Sequence, residues 1–536
     1  MRARALAAGA CLLGLAAPAT ASRPRALRTP SPAPAVRAVD ALDGHAYALV
    51  ELDRSRGRPA VAALRSVGAS LVSSELSIWR LRSSIAERIL PGLERAHRIR
   101  SVVPDRVLEP FDAGAASSTR ATAWWLSALG VNGMPATGPG KPVTVVDTGL
   151  DFSHPEFAGR PNTVALNRQR ITSPDDFHGT AISSLIGARG QVVRGIYPRA
   201  RLLEWDASER GGLTLSSIIA GIEASTRAGP GVINLSLGSD ADVPMLNDAI
   251  LEAFRRGSLV VAAGGDSRGF DFSPYPASYP HVFTVAATDR RNRAAAFSSA
   301  SSAIDIAAPG QDITVAVPLS HDPSGYIVAS GTSYAAALVS GAIARVWTER
   351  PALDNTQLIA LLRRSATRLG SVGFSNDTGY GLLDLRAALS APAPPPDPLE
   401  PNDDIDLVRP DGVFRDPSPL LTTPRRRRAL LHARLDGNKD PADVYRAWIP
   451  AHEGLAVTAR ATSGDISLRV WGAHTPTIVE RGGAERRDLL AIGQRDGTKS
   501  VLVENRGAGG ELVYVAVSSN VSRTASYSLS LAVRRP

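Results

Sequence analysis

Three short segments carry side chains that could do acyl-transfer chemistry together. Asp147 ends the apolar run Val143-Thr144-Val145-Val146 and is followed by Thr148 and Gly149. His178 opens His-Gly-Thr, ahead of the largely apolar stretch Ala181–Ile186. Ser333 lies in Gly331-Thr332-Ser333-Tyr334-Ala335-Ala336-Ala337, which runs into an apolar stretch ending at Trp347. The order is Asp, His, Ser, with spacings of 31 and 155 residues. A serine hydroxyl is a poor nucleophile until a neutral imidazole takes its proton. The imidazole needs a buried carboxylate to fix its tautomer and stabilise its positive form. A hydroxyl at a helix N-terminus sits among free N–H groups that favour developing negative charge. Alone, each segment has a plainer reading: an Asp after a strand is commonly a turn residue, and Gly-Thr-Ser commonly caps a helix. Their conjunction specifies acyl transfer.

Such residues must be held by a rigid frame. Between residues 120 and 391, short buried-type strands (Val143–Val146, Leu202–Trp205, Val232–Leu235, Leu259–Ala262, Val282–Ala286) alternate with helical spacing over Thr214–Ala228 and Val243–Arg256. That alternation predicts a parallel sheet covered by helices on both faces, with ligands at the carboxyl ends of its strands. Asp147 falls at such an end.

With these residues in place, the segment 120–391 resembles the subtilisin-like serine proteases, the subtilases. The resemblance rests on Val-Asp-Thr-Gly at Asp147, His-Gly-Thr at His178 and Gly-Thr-Ser-x-Ala-Ala at Ser333, in an order known for this triad. Phe297-Ser298-Ser299, Ala308-Pro309-Gly310 and Tyr380-Gly381-Leu382-Leu383-Asp384 add similar landmarks. It implies an α/β fold, a three-layer sandwich around a parallel seven-stranded sheet. It implies that Ser236, Leu237 and Gly238 bind substrate backbone, and that Ala263 and Gly264 form a wall of the primary specificity pocket. The family places Asn right after the Ala-Ala-Gly run, where its amide helps form the oxyanion hole. Here Gly265 takes that place, followed by Asp266, so the oxyanion region is reduced to Gly265 and the backbone N–H of Ser333. Losing one such donor costs on the order of 100- to 1,000-fold in turnover, a scale set by subtilisin itself. Two readings follow: a serine endopeptidase acting through an acyl-enzyme, and a weakly active or inactive relative serving as a binding protein. The intact triad favours the first. His154, before Pro155, is read as a turn residue rather than the base.

The flanks complete the organisation. Residues 1–21 read as a secretory signal, with Arg2 and Arg4 before an apolar stretch and a small-x-small site at Ala19–Ala21. Residues 22–44 are a flexible lead-in. Residues 45–112 follow a β-α-β-α-β order and resemble a subtilase propeptide, an intramolecular inhibitor released by cleavage between about Glu109 and Thr122. Residues 392–398 form a Pro-rich linker, and 399–536 carry regularly spaced short strands that predict an antiparallel β-sandwich, similar to pre-peptidase C-terminal domains. The carboxylates of Glu400-Pro401-Asn402-Asp403-Asp404 could hold Ca²⁺ as a structural ion, although Asx turns explain them as well, and no cofactor is required for the chemistry. No metal-ligating set is read near the triad, and His281 lacks ligand spacing.

Hydrophobic residues at 44% and charged residues at 21% exclude a mostly disordered chain and a polytopic membrane protein. The only cysteine, Cys11, lies in the signal segment, so disulfides are excluded from the processed chain. The net charge of +9 is concentrated at the front: residues 1–110 carry +8 and residues 111–536 only +1. A nucleic-acid partner is therefore not expected. The expectation is a secreted monomer without stable membrane insertion, acting on proteins or peptides.

Overall fold

The computed structural model describes residues 42, 44–114, 123–171, 173–209, 212–268, 273–370, 373–478, 488–493, 498–520 and 524–535. The expected signal segment and most of the lead-in lie outside these residues. The first unit is an antiparallel sheet in the order Ser70–Ser73, Ile78–Arg82, Tyr47–Leu52, Ile99–Pro104, with the helices Ala60–Ser66 and Ser83–Arg95. Residues 48–52 of the strand Tyr47–Leu52 are all buried because both of its faces are covered. Ala48, Val50 and Leu52 cluster with Leu64, Ala86 and Leu90 of the domain's own helices. Leu49 points the other way, into a cluster with Ile218, Ile219 and Ile222 of the next domain. Two details depart from the sequence reading. Ser70–Ser73 is an additional strand, and the last strand of the β-α-β-α-β order is split in two, Ile99–Pro104 and Val107–Pro110. The break falls at Asp105, whose carboxylate accepts from Ser216 N and Ser216 Oγ, both at 2.9 Å, at the start of the helix Leu215–Ala228.

The second unit holds a seven-stranded sheet in the order Ile306–Pro309, Phe283–Thr288, Leu259–Ala263, Val232–Leu235, Pro142–Asp147, Arg201–Asp206, Thr163–Ala165. Every pairing in it is parallel. Alternate residues serve opposite faces, so each central strand reads as a continuous apolar run. Val143, Val145, Val232 and Val261 meet the helices His178–Gly187 and Thr332–Glu349. Val146, Ile233, Leu235 and Val260 meet the helices Leu215–Ala228 and Pro244–Arg255 on the other side. This is the three-layer α/β sandwich expected from the sequence.

The Pro-rich segment is tied down rather than free. Gln357 Nε2 donates to Pro394 O at 2.7 Å, Asp397 N to Thr356 Oγ1 at 3.0 Å, and Arg434 to Pro395 O at 3.1 Å. Beyond it, two four-stranded antiparallel sheets face each other. One runs Arg428–Asp436, Thr524–Arg534, Gly454–Ser463, Thr498–Glu504; the other Ala442–Ile449, Glu511–Ser519, Ile466–Gly472, Leu489–Ile492. The buried ammonium of Lys439 links this sandwich to the α/β domain, donating to the carbonyls of Ala277, Tyr279 and Val282 and to Thr284 Oγ1 at 2.6–3.2 Å. Burial brings its pKa down to about 8. Among the described residues no helix is long and apolar enough to cross a membrane.

Candidate active site

The sheet brings two of the three chemical residues into direct contact. Asp147 ends the central strand Pro142–Asp147, and His178 is the first residue of the helix His178–Gly187. His178 Nδ1 lies 2.9 Å from Asp147 Oδ1 and 3.0 Å from Oδ2. Both side chains are buried. Thr148 N donates to Asp147 Oδ1 at 2.7 Å, which fixes the carboxylate from its own loop. Burial disfavours a charged imidazole, but the Asp147 charge and hydrogen bond outweigh it, with smaller help from Asp112 and Asp266. The His178 pKa is raised as a result. His178 Nε2, the nitrogen facing away from Asp147, is buried without a hydrogen-bond partner among the described residues.

Ser333 is the second residue of the helix Thr332–Glu349. Its Oγ donates to the carbonyl of Ser236 at 3.0 Å rather than to His178. The serine is held from behind by a string of polar contacts. Ser236 Oγ donates to Ser333 O at 3.0 Å, Asn234 Nδ2 to Ser236 Oγ at 2.9 Å, and Ser340 Oγ to Asn234 Oδ1 at 2.8 Å. Asn234 opens the segment Asn234–Gly238 that resembles the family's substrate-binding strand, whereas Ser340 reads in the sequence as one polar residue in an apolar run.

The cleft is filled by the chain itself. Val107–Pro110 lies as a strand between Leu237–Gly238 on one side and Gly212–Thr214 on the other, antiparallel to both. Pro110 is opposite Leu237 and Glu109 opposite Gly238, which carries Phe111 to the level of Ser236. A Cβ on Gly238 would lie 2.7 Å from the Phe111 ring, so only glycine leaves room for the aromatic side chain. A Cβ on Gly331 would lie 2.5 Å from Phe111 O, so the carbonyl rests against the residue two before Ser333. Ala113 N then donates to Ser330 O at 2.7 Å. Ala263 ends the neighbouring strand and Gly264 follows it, where the register Leu235↔Ala262 sets them beside Ser236 and Leu237.

Gly265, assigned to the oxyanion region from sequence, donates its N–H to Thr332 Oγ1 at 3.1 Å. Its φ is +100°, and a Cβ built on it would run into Pro274 Cδ at 2.7 Å and Ser299 Oγ at 3.0 Å. The turn delivers the next side chain. Asp266 Oδ1 accepts from Thr332 N at 2.9 Å and Thr332 Oγ1 at 2.7 Å, beside the nucleophile.

This arrangement can be set beside known proteins. The model of the subtilase family matches residues 138–381, which include Asp147, His178 and Ser333. Subtilisin BL of Lederbergia lenta is 37% identical over 257 residues, covering 47% of this chain and 91% of the relative. The chain belongs to the subtilase family. The alkaline protease of Alkalihalobacillus alcalophilus is 35% identical over 283 residues, 52% of this chain and 72% of the relative. Among solved structures, fervidolysin from Fervidobacterium pennivorans shares the fold with a TM-score of 0.55 at 19% identity, covering 86% of both chains. This subtilase is a serine endopeptidase, and the Asp-His-Ser triad is its family's mechanism.

Two further features of the subtilase lie away from the triad. His154 is buried, with Nε2 3.0 Å from Gly325 O and Nδ1 accepting from Glu156 N at 3.2 Å, the turn role expected of it. His281, set aside in the sequence for lack of spacing, is brought by the fold to Asp403, 122 residues away, with Nε2 2.8 Å from Oδ2. Two donor groups share Glu400 there: His281, Glu400 and Asp403, and Asp397, Glu400 and Asp443, each with ligand atoms within 4.8 Å of one another. Burial, followed by the charges of neighbouring carboxylates, holds the Glu400 acid well above its ordinary pKa.

Proposed function

We propose that this subtilase is an exported zymogen in which Ser333 is the nucleophile, His178 the general base and then acid, and Asp147 the group that orients and stabilises the imidazole. Its first cut is its own Phe111–Asp112 bond. The observation that carries this reading is the strand Val107–Pro110 lying between Leu237–Gly238 and Gly212–Thr214, with Phe111 against Gly238 and its carbonyl against Gly331. Residues 45–111 are then the propeptide. It is held by the Leu49, Leu76, Ile78 and Leu108 side chains on the helices Leu215–Ala228 and Pro244–Arg255. Ion pairs add to this, Arg80 to Glu209 at 2.9 Å and Arg256 to Glu75 at 2.8 Å. Sequencing the N-terminus of the matured protein tests the reading. A start at Asp112 is expected; a start near Ser22 would overturn it.

The chemistry follows from the geometry. Rotation of Ser333 Oγ from Ser236 O toward His178 Nε2 completes the triad. The hydroxyl adds to the scissile carbonyl carbon as its proton passes to Nε2, and Asp147 stabilises the imidazolium. The Ser333 N–H, near the start of its helix, donates to the developing oxyanion. Collapse expels the amine, which takes the proton from Nε2. Water then repeats the sequence on the acyl-enzyme. Substrates bind as added β-strands in the place of Val107–Pro110, a main-chain mode indifferent to most side chains.

The Phe111 pocket predicts a specificity. Gly238→Val places methyl groups where the ring now lies. Cleavage after Phe should fall on the order of 100-fold relative to cleavage after Ala. A peptide-library profile of both proteins reads this directly, and an unchanged profile would remove Phe111 from the specificity pocket.

The interdomain donor set suits a hard cation such as Ca²⁺, which takes carboxylate oxygens and relieves their mutual repulsion. The carboxylates of Asp397, Glu400 and Asp443 would supply its ligands. At a hundred times its Kd such an ion stabilises by about 2.7 kcal/mol. Millimolar Ca²⁺ should therefore raise Tm by several degrees in the wild type and not in Glu400→Gln. An equal shift in both proteins would exclude this site.

A further inference from the structure

We propose that the Asp266 carboxyl works in its protonated form, donating a hydrogen bond to the carbonyl oxygen of the bond under attack. This deepens the endopeptidase reading and rests on Ser333 and His178 acting as assigned above.

The geometry assigns the proton to one oxygen. Asp266 Oδ1 is already an acceptor twice over, from Thr332 N and Thr332 Oγ1. Thr332 Oγ1 in turn accepts from Gly265 N at 3.1 Å, so its own hydrogen is committed to Oδ1. Asp266 Oδ2 is buried with no hydrogen-bond partner among the described residues. It faces Gly331: the point 3.1 Å from Oδ2 where a Cβ on Gly331 would lie is 2.5 Å from Phe111 O. An ionised carboxylate in that position would present a negative oxygen to a developing oxyanion. A neutral acid in the same position presents its O–H, the form a buried carboxyl can keep to serve as a donor.

The surroundings favour the acid. The titratable groups facing Asp266 in the precursor are Asp112, two residues past the docked strand, and His178 and Tyr334 from the two flanking helices. Burial raises the Asp266 pKa to about 6; the two Thr332 hydrogen bonds and His178 pull it down, and Asp112 pushes it up. His178 is itself raised. The active form needs both groups neutral: Asp266 keeps its acid proton, and His178 keeps Nδ1–H while Nε2 is free to act as base.

The proton count closes through the reaction. The Ser333 proton moves to His178 Nε2 as the O–C bond forms, and the carbonyl electron pair moves to oxygen. That oxygen accepts from Ser333 N–H and from Asp266 Oδ2–H. When the C–N bond breaks, Nε2 returns its proton to the leaving amine. Asp266 keeps its own proton throughout.

The test is kcat/KM against pH, from 4.5 to 9.5, on the matured enzyme with a peptide p-nitroanilide carrying Phe before the scissile bond. The wild type should give a bell whose alkaline limb falls about tenfold per pH unit. Asp266→Asn supplies an amide donor at every pH. It should lose the alkaline limb and exceed the wild type by on the order of 100-fold at pH 8. A wild-type plateau above pH 8 overturns the proposal and needs no variant to be seen. So does an Asp266→Asn protein that is folded by circular dichroism yet slower than the wild type at pH 8. If Ser333→Ala were still active, the triad assignment itself would have failed; if it is inactive while the wild type shows no alkaline limb, only the Asp266 role has.

Discussion

Ser333→Ala is expected to leave the Phe111–Asp112 bond intact and to lower peptide hydrolysis on the order of 10⁶-fold, the scale known for the triad of subtilisin. The loss is large because the serine is not one contributor among several. Without its oxygen no acyl-enzyme forms, and the imidazole and carboxylate have no proton to move. A residual acceleration over water of about 10³- to 10⁴-fold would remain from substrate binding and oxyanion donors. The fold should hardly notice. Among the described residues Ser333 Oγ makes a single hydrogen bond in the precursor, to Ser236 O, worth about 0.5–1.5 kcal/mol. The string from Ser236 Oγ through Asn234 to Ser340 uses the Ser333 carbonyl and survives the change.

Three readouts should therefore separate. The variant accumulates as an uncut precursor, fails to react with a serine-directed fluorophosphonate, and melts within a few degrees of the precursor wild type. Continued maturation in a purified preparation would remove Ser333 from the mechanism. Failure of the matured wild type to react with the same probe would instead revive the inactive-relative reading that the sequence left open.

The parts of this architecture that could be read from sequence share a physical property: each leaves its signature within a few consecutive residues. A strand buried on both faces gives an uninterrupted apolar run, as at Val143–Val146 and Val232–Leu235. A reactive residue at a strand end or helix start stands next to the glycine and threonine that let backbones approach, as at Asp147, His178 and Ser333. What escaped depends on geometry over longer distances or on a turn. Counting one residue past Ala-Ala-Gly leads to Gly265, but the chain turns at its positive φ, and it is the Asp266 side chain that reaches Thr332 beside Ser333. The strand Arg428–Asp436 was hidden because it begins in an arginine run and only Ala433 and Leu435 are fully buried. The pairing of His281 with Asp403 requires the sandwich to dock on the α/β domain, which no local pattern encodes. Phe111 had no motif at all. Its place follows from the register of Glu109 and Pro110 against Gly238 and Leu237.

Asp147→Asn should cost about 10⁴-fold in turnover while leaving the backbone in place. The amide is the same size as the carboxylate, and Thr148 N can still donate to its oxygen. What changes is the tautomer of His178. The carboxylate accepts from an Nδ1–H and so leaves Nε2 as the base; an amide nitrogen donates to Nδ1 and puts the hydrogen on Nε2, where it cannot take the serine proton. The pH dependence carries an independent sign. In the wild type His178 is raised, so the neutral imidazole that acts as base is gained only as pH passes above the ordinary histidine value of about 6.5. In the variant, burial, the largest single influence on this imidazole, is left without its main opponent, and the rising limb should move to lower pH. Stability follows the same linkage. A raised histidine contributes stability fully below its unfolded pKa and loses it as pH rises through the folded one, so the wild type should lose that increment above about pH 6.5, and Asp147→Asn should not have it to lose. Melting curves at pH 5.5 and 8.5 for both proteins, beside the two rate profiles, test the chain of cause. A slow variant whose rising limb stays at the wild-type pH would mean that Asp147 does not set the charge of His178.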